Sequence, residues 1–92
     1  MTIMIDDNQQ LREIIADFII ECRGGHFLPY RDYDIIEKWL LSCPNKDQLL
    51  LVLAEELPEY FAQSKGSVPR TLTGIQKKID KKIQQLVLRT YL

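Results

Sequence analysis

Apolar side chains recur at intervals of three and four residues through most of this 92-residue chain, and this spacing limits the possible folds more than any other feature. It is typical of amphipathic helices, because 3.6 residues complete one helical turn. The clearest stripe lies in the first quarter of the chain and consists of Leu11, Ile14, Ile15, Phe18, Ile19 and Cys22. No parallel-sheet pattern, internal repeat or low-complexity tract accompanies it. The sequence therefore predicts an all-α domain.

Glycine, proline and capping residues divide this pattern into segments. Gly24 and Gly25 are expected to end the first helix, because glycine adopts the left-handed backbone conformation that follows a helix. Pro29 opens the second helix with its fixed φ, and Pro44 closes it. Asn45, three residues before Gln48, has the side chain and spacing of a helix N-cap. A third helix is expected to follow directly.

Proline also sets the expected end of that third helix. Pro58 predicts a break or kink there, because its ring collides with the carbonyl group four residues earlier. A short fourth helix would then run from Pro58 to about Ser64, followed by a turn and a long last helix from about Thr73 towards Tyr91. The predicted fold is a small single domain, residues 1–92, of four to five helices, orthogonal or bundled, with a long basic C-terminal helix.

Two of the predicted helices supply most of the expected core. On the second helix, Tyr33, Ile36 and Leu40 share one face and are flanked by Ile35 and Trp39. The third helix is apolar nearly all round, since residues 49–54 form an unbroken apolar run. We expect such a helix to be central, with neighbours on several sides.

Charge is sorted by position along the chain. Residues 1–64 carry five basic and twelve acidic side chains, a net charge of −7. Residues 65–92 carry seven basic side chains and one acidic side chain, a net charge of +6. The small total charge therefore conceals an acidic helical part and a basic C-terminal segment. This asymmetry predicts either a basic binding surface or an acid–base match between helices.

Composition favours a cytoplasmic protein that does not insert into a membrane. The longest apolar run has six residues, well below the roughly 20 that cross a bilayer as a helix. The N-terminus carries acids where a signal peptide carries basic residues. Cys22 and Cys43 are too few for the disulfide framework of a small secreted domain.

The chain lacks a constellation of residues that would make it an enzyme. His26 is its single histidine, so neither a two-histidine metal site nor a phosphorelay pair is available. Cys22, His26 and Cys43 are scattered and contain no Cys-x-x-Cys pair, unlike typical zinc sites. No phosphate loop or paired catalytic carboxylates are present. We therefore expect a binding protein with no metal, no cofactor and no catalytic residues.

The basic residues of the last predicted helix share one flank beside its apolar side. Lys77 and Lys81, like Lys78 and Lys82, are like-charge pairs four residues apart, and such pairs destabilise an isolated helix by a few tenths of a kcal/mol. A nearby anion would offset this repulsion. The anion would come from phosphate groups, from an acidic partner or from acidic helices of the same chain.

The segment 58–77 resembles the DNA-binding helix-turn-helix of bacterial repressors. Ala62 precedes Gly66 by four positions, as the small residue of that motif precedes its turn glycine. The apolar positions of the motif fall on Phe61, Leu72 and Ile75. The resemblance implies a recognition helix that begins near Pro69 and presents outward Arg70, Thr71, Thr73, Gly74 and Lys77.

These observations predict a binding or regulatory module that uses its basic C-terminal helix, with nucleic acid as the leading partner. The residues expected to contact nucleic acid or another anionic partner are Arg70, Thr71, Thr73, Lys77, Lys78, Lys81 and Lys82.

The alternative is a protein-interaction or self-association domain, in which the basic helix pairs with acidic surface on a partner or a second copy. Within one chain, the acidic stripe of the first helix offers such a match, because three acids step along it at intervals of four. This interpretation expects Glu13, Asp17 and Glu21 to face Lys77, Lys81 and Lys78.

Overall fold

A computed structural model describes residues 7–63 and 70–90 of the chain. These ranges contain four α-helices and one short 3₁₀ helix, and no strand occurs within them. The elements are α1 (Asp7–Cys22), α2 (Tyr30–Ser42), α3 (Lys46–Ala62), the 3₁₀ helix (Leu72–Gly74) and α4 (Gln76–Thr90). The all-α prediction is confirmed.

Local chemistry explains most of the helix boundaries. Gly24 and Gly25 have φ values of 68° and 86°, which place both in the left-handed region beyond the end of α1. Pro29 precedes α2 with a φ of −60°. The Asn45 side chain accepts a hydrogen bond from the Gln48 N–H at 3.2 Å, as expected of an N-cap.

The expected break at Pro58 is wrong, because α3 continues through Pro58 to Ala62. An internal proline costs a helix about 3 kcal/mol, so the surrounding structure must offset that loss. It does so by burying a stripe that extends on both sides of the proline. The stripe consists of Leu49, Leu53, Leu57 and Phe61. Tertiary packing thus joins the predicted third and fourth helices into one.

The four α-helices are arranged with α2 and α3 between α1 and α4. α1 contacts α2 and α3, whereas α4 contacts α2, α3 and the 3₁₀ helix. α1 and α4 do not contact each other. The acidic stripe of α1 and the basic flank of α4 therefore belong to separate parts of the molecule.

The core follows the predicted pattern with two corrections. Trp39, Ile36 and Leu40 are buried as expected, but Tyr33 is 36% exposed. The neighbouring residue Asp32 is buried instead, with 1% of its surface exposed. The reason is a partner distant in sequence, because the Asp32 Oδ2 accepts a hydrogen bond from the Leu72 N–H at 3.1 Å.

The second correction concerns α3, which is not buried all round. Leu49 and Leu53 are buried, whereas Leu51 is 57% exposed. Packing covers only the side of α3 that carries the four-residue stripe. α3 is nevertheless central, since it contacts α1, α2 and α4.

Candidate nucleic-acid interface

One carboxylate of α3 binds two of the predicted contact residues on α4. Glu56 Oε2 lies 2.8 Å from Lys78 Nζ, and its Oε1 lies 2.8 Å from Lys82 Nζ. We call these three residues the Glu56 cluster. Lys78 and Lys82 are one turn apart, so both reach the same carboxylate. A single negative charge leaves the cluster with an excess of one positive charge.

The ion pairs shift the titration of their members. Hydrogen bonds from Lys78 and Lys82 lower the pKa of Glu56 below its ordinary value, against the opposing effect of partial burial. The hydrogen bond and charge of Glu56 raise the pKa of Lys78. Both shifts favour the charged forms that hold α4 against α3.

This arrangement corrects the expected match between α1 and α4. Glu13, Asp17 and Glu21 are all exposed on α1, which does not contact α4. Sequence reasoning missed Glu56 as the acid that pairs with the last helix. Glu56 lies three residues after Leu53, at the edge of the α3 apolar stripe. This position is the sequence signal by which its contact with a neighbouring helix could have been found.

Replacing Glu56 by glutamine is expected to lower the melting temperature at pH 7 by about 2–4 °C. Glu56 has a depressed pKa, so its ion pairs stabilise the fold above the ordinary pKa of 4.5 and lose this effect as the pH falls through the folded value. The difference between the two proteins should therefore vanish in acid.

Thermal unfolding of both proteins between pH 3 and pH 7 tests this expectation. The variant is compared with wild type at each pH because Asp32 also affects stability. Burial raises the pKa of Asp32, so its contribution to the free energy of unfolding increases as the pH falls, whereas that of Glu56 decreases. A constant difference at all pH values would contradict an electrostatic role for Glu56.

Lys77 and Lys81 lie on a different side of α4. Both are exposed, and they lie away from Ile79 and Ile83, which are buried in the core. Within residues 7–63 and 70–90, neither lysine forms an ion pair. The predicted basic flank is therefore divided into a pair bound to Glu56, Lys78 and Lys82, and an outward pair without an ion pair to the described residues, Lys77 and Lys81.

The segment before α4 contacts Tyr60 of α3. The Tyr60 hydroxyl donates a hydrogen bond to the Thr71 carbonyl at 2.6 Å. The Arg70 guanidinium lies 5.4 Å from the centre of the Tyr60 ring, within the range of a cation–π contact. The hydroxyls of Thr71 and Thr73 are 2.6 Å apart and share a hydrogen bond.

These contacts correct two details implied by the helix-turn-helix resemblance. α4 begins at Gln76, seven residues after the expected start near Pro69, and residues 72–74 form the 3₁₀ helix instead. Gly74 faces Tyr60, because a Cβ atom at this position would lie 2.2 Å from the Tyr60 hydroxyl. The predicted turn at Gly66 lies outside the described residues.

Two contacts fix the direction of α2 against α4. Asp32 near the start of α2 bonds to Leu72 just before α4, and further along, Trp39 Nε1 donates to Asp80 Oδ1 at 2.9 Å. The chain therefore runs in the same direction along α2 as from Leu72 to Asp80. Between α2 and α4 lies a groove of about 530 Å³, which we call the α2–α4 groove. It is lined by Ser42, Asp80, Ile83, Gln84, Val87 and Leu88.

The potential soft metal ligands do not converge. His26 is exposed, Cys43 is buried, and Cys22 is partly buried with a pKa raised mainly by that burial. Across the part of the chain that the structure describes, no three His, Cys, Asp or Glu side chains form a group suited to a metal ion.

Comparisons with known proteins found no match to this chain among protein-family models, curated proteins or solved structures. Among the described helices, none has the length and apolar character needed to cross a bilayer.

Proposed function

We propose that this chain is a non-enzymatic cytoplasmic module that binds nucleic acid on the outward face of α4. The observation that supports this function best is the exposure of Lys77 and Lys81 one turn apart, with no ion pair to another described residue. An outward like-charge pair is unfavourable in isolation and becomes favourable when an anion lies beside it.

The charge around these lysines supports the same proposal. Asp80 is the only acid on α4, which carries five basic side chains. Glu56 offsets one further positive charge from the neighbouring helix. The surface therefore keeps a positive excess that attracts a polyanion.

Lysine contacts of this kind recognise phosphate groups and not base sequence. A lysine ammonium is a compact point charge on a flexible stem, well suited to phosphate oxygens. Phosphate contacts position a protein on nucleic acid but carry little sequence information. We therefore expect binding that depends strongly on salt and weakly on sequence.

Fluorescence anisotropy of the intact chain with a random DNA duplex at several salt concentrations tests the proposal. Neutralisation of two to four phosphates gives a log–log salt slope of about −2 to −4. The absence of salt-dependent binding would contradict the proposal. Sedimentation that then showed concentration-dependent mass would favour the alternative, self-association through the same basic face.

A further inference from the structure

A cleft of about 460 Å³ between α1 and α2 is lined by acids and tyrosine rings. We call it the acidic cleft, and its lining residues are Arg12, Glu13, Tyr30, Tyr33, Asp34 and Glu37. Three acids and one cation give this lining a net charge of −2. Arg12 pairs with Glu37 at 3.8 Å. Glu13 and Asp34 are exposed and form no ion pair with another residue that the structure describes.

The tyrosines of the acidic cleft expose ring surface to solvent. Tyr30 is 86% exposed and Tyr33 is 36% exposed. The face of an aromatic ring attracts an ammonium group, and it also packs against the methylene stem of a lysine. Carboxylates beside such a ring bind the charged end of the same side chain. The chemistry of the acidic cleft is therefore suited to lysine side chains.

The chain carries two exposed lysines of this kind, but it does not bring them to its own acidic cleft. Lys77 and Lys81 are one turn apart on α4 and form no ion pair with a described residue. α4 does not contact α1, and no residue of α4 lines the acidic cleft. The two surfaces are complementary in charge and separate in the folded chain. Only a second copy can therefore bring them together.

We infer that Lys77 and Lys81 of one copy bind in the acidic cleft of a second copy. The inference deepens the proposed function and rests on it in one respect, because self-association and nucleic acid then compete for the same lysines. Exposed ion pairs are weak and are screened by salt, so we expect a dissociation constant of about 0.1–1 mM at low salt. The chain is then a monomer at the low micromolar concentrations of an anisotropy titration.

A charge swap followed by sedimentation velocity tests the inference without nucleic acid. Wild type should gain mass between about 10 µM and about 1 mM chain at low salt and lose this gain at high salt. Glu13→Lys/Asp34→Lys reverses the acidic cleft, and Lys77→Glu/Lys81→Glu reverses the outward lysines. Each variant alone should associate at least about tenfold more weakly than wild type, because its two surfaces now repel. An equimolar mixture should regain association, because each surface meets its opposite charge on the other variant.

A control variant, Asp47→Lys/Glu55→Lys, makes the same change in charge at exposed positions of α3 that do not line the acidic cleft. It should associate more strongly than Glu13→Lys/Asp34→Lys. Wild type that stays monomeric up to about 1 mM, equal losses in these two variants, or a mixture that does not associate would overturn the inference. Duplex binding by dilute wild type would then still support the proposed function, whereas association without duplex binding would contradict only that function. Circular dichroism confirms that each variant is folded before it is compared.

Discussion

Replacing Trp39 by alanine is expected to lower the free energy of unfolding by about 3–5 kcal/mol. Trp39 is 1% exposed, and the loss of its indole would leave a cavity between α2 and α4. Asp80 would also lose the donor that holds its carboxylate. Since the free energy of unfolding of a small domain is only about 5–15 kcal/mol, this single change removes a large part of it.

Urea unfolding followed by far-ultraviolet circular dichroism measures this effect, because Trp39 is the only tryptophan and fluorescence is lost with it. Trp39→Phe keeps an aromatic ring but removes the donor to Asp80, so we expect a smaller loss of about 1–3 kcal/mol. A loss below about 1 kcal/mol for Trp39→Ala would contradict the central position of this side chain.

Charge reversal of the outward lysines, Lys77→Glu/Lys81→Glu, is expected to weaken duplex binding by about 10-fold to 100-fold at 0.1 M salt. Two phosphate contacts are lost, and two negative charges now repel the ligand. Both positions are exposed and outside the Glu56 cluster, so folding should be preserved. Anisotropy titration beside a thermal unfolding curve measures both effects.

A matched control compares Lys77→Gln/Lys81→Gln with Lys78→Gln/Lys82→Gln, and the latter variant removes the cations bound by Glu56. We expect this variant to lose thermal stability, because α3 and α4 lose their ion pairs. Its loss of affinity for the duplex should be smaller than the loss caused by replacing Lys77 and Lys81. Equal losses of affinity in the two variants would contradict the division of the α4 lysines into a pair bound to Glu56 and an outward pair.

The sequence predicted the features of the fold that depend on local chemistry. Gly24, Gly25 and Asn45 act within their own turns, and the structure confirms each. Pro58 shows the limit of such reasoning. Its local preference to end a helix is outweighed by the burial of Leu57 and Phe61 on either side of it.

The candidate site was only partly predictable for the same reason. Helical periodicity placed the five cations of α4 on one flank, but it contained no information about which neighbouring helix they meet. Glu56, about twenty residues earlier in the chain, separates Lys78 and Lys82 from the outward pair. Asp32 is similar, because its hydrogen-bond partner Leu72 is forty residues away.

The measurement that tests the nucleic-acid proposal most directly is an NMR titration of the ¹⁵N-labelled chain with a short DNA duplex. We expect the largest amide shifts along the outward side of α4, including Lys77 and Lys81, and none along α1. The absence of shifts at saturating duplex, or shifts concentrated on α1, would contradict binding through α4.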